Sequence, residues 1–276
     1  MKLVATLTAV LVVALVAPSR GAALDNGVPD GDRHPSVGLL AFDLDGAGGD
    51  PPAFLCSGSV ISERVFLTAA HCIAAFPKDG FPQVEWSVSL EPGSAAGPVA
   101  TPGLVFDDFP FAVRVPTTAA LHVAVHPRFD PETRAHDLAV LVMPKRTFAG
   151  VRPVRLPPGR FLPKLARRET TLTLVGYGAD PDFSGAAPKF LFEGYRQVAA
   201  APIRGLTERW VELGNTPEVG GVCLGDSGSP QLAPGTSIAV SQVSTDGPPE
   251  APCTGTALAH RLDRPAERRF LARYLD

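Results

Sequence analysis

The sequence predicts an all-β protein, either a barrel or a sandwich, and three observations support this. Short apolar or β-rich runs recur along the chain. Stretches rich in glycine and proline separate these runs, and the two residue types number 27 and 29. A helical pattern is convincing only at the C-terminus. The predicted strands cover residues 57–61, 65–70, 85–90, 121–126, 138–143, 170–176 and 238–244, and the turn-rich stretches cover 45–52, 91–103, 157–159, 180–188 and 247–252.

Composition limits the class of protein. The 276 residues allow one large domain or two small ones. Hydrophobic residues make up 45% of the chain and charged residues 19%, which is typical of a globular protein and excludes a disordered one. The formal net charge of -3 argues against nucleic acid as a main partner, because a phosphate backbone selects basic surfaces.

The first 23 residues have the pattern of a signal peptide. Lys2 precedes an apolar run at 3–17, Pro18 interrupts it, and small residues follow at 21–23. The run is shorter than the roughly 20 residues that a membrane-spanning helix needs. We therefore expect cleavage after Ala23 and a secreted chain of residues 24–276 that has no membrane anchor. The alternative is an uncleaved anchor.

The C-terminal helix is predicted over about 264–275. Asp263 can cap it, and Pro265 suits its first turn. Phe270, Leu271 and Tyr274 fall on one face. We expect this face to pack against the strands.

Four cysteines in an exported chain favour disulfide bonds. They allow three pairings, of which the simplest joins neighbours: Cys56 to Cys72 and Cys223 to Cys253. No two of them have the C-x-x-C spacing of a zinc site, and no acidic cluster has the spacing of a calcium loop, so we expect no metal.

Three segments carry residue types suited to nucleophilic catalysis. His71 follows an apolar run, Asp137 precedes another, and Ser227 stands in a glycine-rich turn. Taken singly, these would be a packed histidine, a turn aspartate and a turn serine. Together they supply a nucleophile, a base and a group that orients the base.

These segments resemble those of the chymotrypsin-like (trypsin-like) serine peptidase family. The matches are Leu-Thr-Ala-Ala-His-Cys at 67–72, His-Asp-Leu-Ala-Val-Leu at 136–141 and Gly-Asp-Ser-Gly at 225–228, with weaker similarity at 56–62, 176–178 and the C-terminal helix. The likeness covers the chain from about Leu24 to its end. The order His, Asp, Ser differs from the Ser, Asp, His order of an α/β-hydrolase. The expectation is a secreted, bacterial-type member.

The resemblance implies two six-stranded antiparallel β-barrels of chymotrypsin type, at about 38–145 and 160–262, with the substrate cleft between them. His71 would be the general base and then the general acid, and Asp137 would orient it. Ser227 would form the acyl-enzyme. The N–H groups of Gly225 and Ser227 would bind the oxyanion.

The resemblance also implies activation by a free, apolar N-terminus that pairs with Asp226. We hypothesise that signal peptidase exposes the amine of Leu24 for this role. Asp25 departs from the valine that the family has at the second position. The alternatives are a short propeptide or a zymogen that another protease must cut.

Specificity is expected from the primary pocket, with Gly221 at its floor, Ser244 on the substrate-binding strand, and Asp246 and Ala257 at its walls. A floor without a carboxylate disfavours Arg or Lys substrates. Side chains at Asp246 and Ala257 should narrow the pocket towards small or medium apolar residues. Two alternatives remain for Asp246. It binds a basic side chain at the pocket mouth, or it is a solvated loop carboxylate.

The predicted function is a serine endopeptidase that acts on proteins or peptides, has protein inhibitors as possible partners, and works as a monomer without a cofactor. One alternative is a catalytically silent homologue that binds proteins. Ser229, where relatives usually have glycine, and the Leu24-Asp25 start keep this alternative open. Another is an esterase with the same triad. His136 need not enter the triad, and four further histidines are expected to be framework or surface residues: His34, His122, His126 and His260.

Overall fold

The computed structural model describes residues 24, 27–43, 53–76, 84–93, 99–102, 118–182, 189–192, 194–215, 220–248 and 252–275. The predicted signal peptide, Asp25 and the predicted turn at 45–52 lie outside these residues. The fold is mostly β, as the sequence predicts. It consists of two large antiparallel sheets, one small sheet and three short helices.

The first large sheet is curled and antiparallel. Its hydrogen-bonded order is β7-β5-β2-β3-β4-β9-β8. The two edge strands are consecutive in the chain, and the intervening Ala120 and Leu121 donate backbone hydrogen bonds to the β5 residue Trp86 and the β9 residue Val142. The strands are β2 (Val37–Asp43), β3 (Ala53–Ser62), β4 (Val65–Thr68), β5 (Glu85–Ser89), β7 (Thr118–Ala119), β8 (His122–Val125) and β9 (Ala139–Val142).

The second large sheet closes into a six-stranded barrel. Its order is β13-β10-β15-β16-β17-β14, and β14 pairs back onto β13. The short strand β1 adds to β13, so that Val28 lies opposite Val198 and the start of the described chain reaches the second sheet. The strands are β1 (Val28–Pro29), β10 (Thr171–Gly176), β13 (Gln197–Leu206), β14 (Trp210–Asn215), β15 (Pro230–Leu232), β16 (Ala239–Thr245) and β17 (Gly255–Arg261).

A small three-stranded sheet lies in segments that the sequence predicts as turns. It contains β6 (Val99–Pro102), β11 (Asp180–Asp182) and β12 (Lys189–Phe192), in the order β11-β12-β6. The turn predictions at 91–103 and 180–188 are therefore wrong where these strands form. Proline and glycine signal a turn locally, but the pairing of β6 with β12 joins residues about 90 positions apart, which no local signal reports.

The helices are α1 (Ala70–Ala74), α2 (Leu162–Ala166) and α3 (Pro265–Ala272). The strand predicted over 65–70 is too long, because it ends at Thr68 and α1 begins at Ala70. Pro265 stands in the first turn of α3 as expected, and Phe270 and Leu271 are buried. Among the described helices, none has the length and apolar character that crossing a membrane requires.

The predicted cap of α3 is wrong. The N-cap residue is Arg264, and it makes no side-chain capping hydrogen bond. The carboxylate of Asp263 instead accepts hydrogen bonds from the Arg261 guanidinium and from the backbone N–H of Leu162, at 2.9 and 3.0 Å. A charged partner competes successfully with the helix terminus for this carboxylate.

The main apolar core takes residues from both large sheets. Val37, Leu67 and Val140 of the first sheet belong to one buried cluster with Val175 and Leu232 of the second. Phe270 and Leu271 of α3 join the same cluster. Because this core is shared, the two sheets are held at a fixed separation.

A buried guanidinium adds a polar connection between the two sheets. Arg196 is 1% exposed and its Nε donates to Asp30 Oδ2 at 2.8 Å. Its other nitrogens donate to the carbonyls of Val37 and Leu90 at 3.0 and 3.2 Å, and to Gly31 O at 2.6 Å. Although burial opposes its ionisation, hydrogen bonds from His34 and Arg196 hold the pKa of Asp30 below its usual value.

Replacement of Arg196 by alanine should lower the free energy of unfolding by about 3–5 kcal/mol, because it leaves the Asp30 carboxylate buried without its cation. Urea unfolding followed by circular dichroism measures this loss. The control is Arg264→Ala, which breaks the ion pair to the 80% exposed Glu208 and should cost no more than about 1 kcal/mol. Equal losses in the two variants would contradict a special role for Arg196.

Candidate active site

His71 lies in the first turn of a short helix that follows a buried strand. All four residues of β4 are buried, and α1 begins two residues after its end. The next residue, Cys72, forms the predicted disulfide bond with Cys56 of β3. The strand and the disulfide together fix the backbone that carries the imidazole.

Asp137 stands in a tight turn just before β9. The preceding Arg134 and His136 have positive φ angles of 54° and 55°, which turn the chain sharply at this point. The Asp137 side chain is fully buried. Its Oδ1 accepts the backbone N–H of His71 at 2.8 Å, and its Oδ2 lies 2.8 Å from His71 Nδ1.

Ser227 stands in a turn that is anchored by the second predicted disulfide bond, Cys223–Cys253. Its Oγ lies 2.9 Å from His71 Nε2, which completes a hydrogen-bonded chain from serine through histidine to aspartate. Gly228 has a φ of 83°, and a Cβ there would lie 2.5 Å from the Ser57 carbonyl oxygen. Only glycine allows the turn to approach the first sheet this closely.

The second sheet also contributes to the surroundings of Asp137. Ser244 Oγ, on β16, donates to Asp137 Oδ2 at 2.5 Å. Two residues earlier on the same strand, Gln242 Nε2 donates to the backbone carbonyls of Thr68 and Asp137, at 3.0 and 2.8 Å. Ser244, which the sequence predicts on the substrate-binding strand, therefore contacts the Asp137 carboxylate.

Electrostatics favour an ionised Asp137. Burial opposes ionisation, but the His71 imidazole and the hydrogen bonds from His71 and Ser244 hold the pKa of Asp137 below its usual value. An anion beside Nδ1 fixes the proton on that nitrogen and leaves Nε2 free to accept one from Ser227.

Two backbone N–H groups beside Ser227 are available to an anion. Within the described part of the chain, neither the Gly225 nor the Ser227 N–H has a hydrogen-bond acceptor. The Gly225 carbonyl accepts from Ser57 Oγ at 2.9 Å, and Ser57 N–H donates to the Ser227 carbonyl at 2.9 Å. Because both carbonyls are engaged by β3, the turn is held from the first sheet.

Asp226 is a buried carboxylate without a cation. It is fully buried, and it accepts the backbone N–H groups of Gly178 and Cys223 at 2.9 and 3.0 Å. Burial, with a smaller contribution from the nearby Asp246, raises the pKa of Asp226 to about 8. Among the described residues, no cationic side chain pairs with it.

Leu24 contacts Gln197, and not Asp226 as predicted. Its side chain is fully buried in the apolar cluster of the second barrel. Its backbone nitrogen lies 3.4 Å from Gln197 Oε1. In this chain the nitrogen of Leu24 belongs to the peptide bond with Ala23, so it carries no charge. The predicted pair with Asp226 stays a prediction for a chain that starts at Leu24.

The family of this chain follows from comparison with known proteins. The trypsin family matches residues 111–257, more than half of the chain, including Asp137 and Ser227 but not His71. The chain belongs to the trypsin family.

Two curated relatives are animal proteins. Human "Serine protease 56" is 31% identical over 134 residues, which are 48% of this chain and 18% of that protein. Drosophila melanogaster "Serine protease grass" is 28% identical over 190 residues, 66% of this chain and 48% of that protein. The matched parts thus span less than half the length of each relative. The expectation of a bacterial-type member finds no support in these matches.

Solved structures confirm the chymotrypsin-like fold. A structure titled "HL collagenase" aligns with a TM-score of 0.61 and 17% identity, over 87% of this chain and 92% of that one. A structure titled "human heparin binding protein" aligns with a TM-score of 0.56 and 18% identity, over 90% and 94% of the two chains. At these identities the likeness concerns the fold alone.

The predicted pocket floor of this trypsin-family chain is covered by a residue that the sequence analysis missed. A Cβ at Gly221 would lie 1.4 Å from Asn215 Oδ1, so the Asn215 amide fills the space above the glycine. Asn215 is fully buried, and its Nδ2 donates to the carbonyls of Val222 and Asp246, at 3.0 and 2.6 Å. The side chain at the predicted floor is therefore a neutral amide.

Two further predicted pocket residues, Asp246 and Ala257, have different surroundings. Asp246 follows β16 and is partly exposed, and burial raises the pKa of its carboxyl, while His71 lowers it. Ala257 on β17 is buried opposite Leu213 in the barrel's apolar cluster. Like Asp226, Asp246 has no ion pair among the described residues.

Three polar residues were missed by sequence reasoning: Ser57, Asn215 and Gln242. Ser57 stands inside the similar segment 56–62, but its hydrogen bonds to the Ser227 turn depend on the fold. Gln242 is accessible from strand periodicity, because residues i and i+2 of a strand share a face and Ser244 is a predicted site residue. Asn215 has no local signal, since its partners Val222 and Asp246 lie 7 and 31 residues further along the chain.

The raised pKa of Asp226 predicts a pH effect on stability. The folded chain keeps a proton on this carboxyl up to about pH 8, whereas the unfolded chain releases it near 3.8. The folded state thus binds more protons in this interval, and stability should fall as the pH rises through it. The Ser227→Ala chain should lose unfolding free energy between pH 5 and pH 8. Adding Asp226→Asn should make this loss smaller by about 1–3 kcal/mol.

Urea unfolding at the two pH values measures this difference. Asp32→Asn is the control, because Asp32 is exposed and should leave the pH profile unchanged. A decline that is the same with and without Asp226 would overturn the assignment.

Proposed function

We propose that this trypsin-family chain is a serine endopeptidase that hydrolyses protein or peptide substrates through His71, Asp137 and Ser227. The observation that carries the proposal is the continuous hydrogen-bonded chain, 2.9 Å from Ser227 Oγ to His71 Nε2 and 2.8 Å from His71 Nδ1 to Asp137 Oδ2. Such a chain converts a poorly nucleophilic hydroxyl into one that attacks a carbonyl carbon.

The proposed reaction has two stages. His71 Nε2 takes the proton of Ser227 as Oγ attacks the scissile carbonyl, and the buried anion of Asp137 stabilises the imidazolium that forms. The N–H groups of Gly225 and Ser227 receive the negative oxygen of the tetrahedral intermediate. His71 then gives its proton to the leaving amine, and water hydrolyses the acyl-enzyme by the same steps in reverse order.

The proposed mature chain begins at Leu24, after export and removal of residues 1–23 as a signal peptide. Support comes from the burial of Leu24, whose side chain already occupies an apolar site in the second barrel, and from the absence of a cation at Asp226 among the described residues. A free amine at residue 24 would supply that cation if it moved from Gln197 to Asp226. The uncut chain is then a latent form.

A serine-directed organophosphorus reagent tests the catalytic proposal. The secreted wild-type chain should gain one adduct, measured by intact mass, and Ser227→Ala should gain none. Asp137→Asn should react and turn over substrate about 10⁴-fold more slowly, because the imidazole loses the anion that fixes its tautomer. The mass of the unreacted chain shows whether it starts at Leu24.

Failure has two distinguishable forms in this experiment. A chain that starts at Leu24 and forms no adduct would contradict the enzyme and favour a silent homologue. A chain that starts before Leu24 and forms no adduct would contradict activation by signal peptidase. Amide substrates separate a peptidase from an esterase, since an esterase would cleave only the corresponding esters.

The proposed specificity is for small or medium apolar residues before the cleaved bond. The raised neutral floor formed by Asn215 above Gly221 supports this, because it provides limited depth and no charge for a basic side chain.

Peptide substrates with Ala, Val or Leu before the cleaved bond should have kcat/KM at least about tenfold above those with Arg or Lys. Asn215→Gly should deepen the pocket and raise the relative kcat/KM for Phe, and Asp32→Asn, an exposed residue outside the predicted pocket residues, is its control. A preference for Arg or Lys that disappears in Asp246→Asn would overturn the apolar pocket and assign recognition to Asp246 instead.

A further inference from the structure

A cluster of polar side chains lies behind the triad, where three elements meet. His136 belongs to the turn before Asp137, His260 to β17 and Glu267 to the first turn of α3. Each offers one ligand-type atom, and these atoms all lie within 4.8 Å of one another. The other two such groups in the described chain contain Cys56 with Cys72 and Cys223 with Cys253, whose sulfurs are in disulfide bonds.

His260 has an unused nitrogen in the interior. The residue is 1% exposed, and its Nδ1 lies 3.2 Å from the Arg261 carbonyl oxygen. A carbonyl can only accept, so Nδ1 carries the hydrogen and Nε2 presents a lone pair. Within the described residues this Nε2 is buried and has no hydrogen-bond partner. Metal-bound histidines in proteins typically donate their other ring nitrogen to a carbonyl or a carboxylate in this way.

His136 is held in position from two sides. Its ring stacks on His126 with centroids 4.6 Å apart and planes at 12°, and its Nδ1 lies 2.6 Å from Glu267 Oε1. The residue has a positive φ of 55°, so the backbone turns sharply at this point. The side chain of His136 is 22% exposed, so water reaches this edge of the cluster.

We propose that His136, His260 and Glu267 bind one divalent transition-metal ion of the zinc type. Two imidazole nitrogens and one carboxylate oxygen are a common zinc ligand set, and water at the exposed edge would supply the fourth ligand. Calcium and magnesium prefer all-oxygen sites and are not expected here. This differs from the sequence-based expectation of no metal.

The three ligand atoms need to move only modestly to form the metal site. Metal–ligand bonds of about 2.0–2.1 Å in a tetrahedral arrangement place ligand atoms about 3.3–3.4 Å apart. The ligand atoms lie within 4.8 Å of one another, so no separation must shrink by more than about 1.5 Å, and the 2.6 Å contact between His136 and Glu267 must open. Rotation of the long Glu267 side chain would contribute the change at its own carboxylate. The ion would connect α3 and β17 to the turn that ends in Asp137.

The test measures zinc binding in a background where no protease activity is needed. The Ser227→Ala chain is treated with a chelator, and its Tm and Kd are measured with Zn²⁺ and separately with Ca²⁺. At a Zn²⁺ concentration about 100-fold above Kd, we expect Tm to rise by about 5–10 °C. Ca²⁺ should leave Tm unchanged.

Variants assign the ligands. His260→Asn keeps a donor for the Arg261 carbonyl and removes Nε2, and Glu267→Gln keeps the shape of the side chain and removes its charge. Each should weaken Zn²⁺ binding at least about tenfold. The matched control is His122→Ala, since His122 is an exposed histidine on β8 outside the cluster. If His260→Asn does not fold, Glu267→Gln still decides the question.

Three results would overturn the proposal. The first is that Zn²⁺ leaves both the Tm and the binding isotherm of the starting chain unchanged. The second is that the effect of Zn²⁺ persists in His260→Asn and Glu267→Gln. The third is that the effect disappears in His71→Ala and persists in the cluster variants, which would place the ion at the triad. Because every measurement uses an inactive chain, these results are independent of whether the protein is a peptidase.

Discussion

The burial of Asp137 is the constraint on which the arrangement of the site depends. A carboxylate without exposed surface is costly to ionise unless hydrogen bonds and a partner stabilise its charge. Here the donors come from different parts of the chain: the backbone and imidazole of His71 from the first half, and Ser244 from the second. The full set of donors to the carboxylate is therefore present only when both sheets are assembled. Packing of the two halves onto each other thus completes the surroundings of the base.

A second buried ion pair constrains the same interface from another side. Arg196, just before β13 of the second barrel, meets Asp30 near the start of the described chain and two carbonyls of the first-sheet region. A buried pair of this kind adds little net stability compared with an apolar contact, but it permits only one geometry. In this chain the pair holds the two sheets at a fixed separation. This matters because the hydrogen bond between Ser227 and His71 crosses from one sheet to the other.

Features with local information are accessible from the sequence: both cysteine pairs and the C-terminal helix are present in the structure. The motifs around His71, Asp137 and Ser227 are also local, and the structure brings these three side chains within hydrogen-bond distance. Features whose partners are distant, or where two demands compete, do not follow from the sequence. The strand pairing of β6 with β12 overrides local turn residues. Asp263 looks like a helix cap but is taken by Arg261. Arg196 and Asn215 gave no signal, because their partners are set by the assembled fold.

The contrast between Asp137 and Asp226 shows how two buried carboxylates acquire opposite properties. Both are fully buried, and both accept backbone N–H groups. Asp137 also faces an imidazole and a hydroxyl, and its pKa falls below the usual value. Asp226 has no such partner among the described residues, and its pKa rises to about 8. A positive charge is thus what the surroundings of Asp226 lack. Cleavage after Ala23 would create a positively charged amine at Leu24, a residue already buried in the same barrel. A single cut would then couple maturation of the chain to the electrostatics beside Ser227.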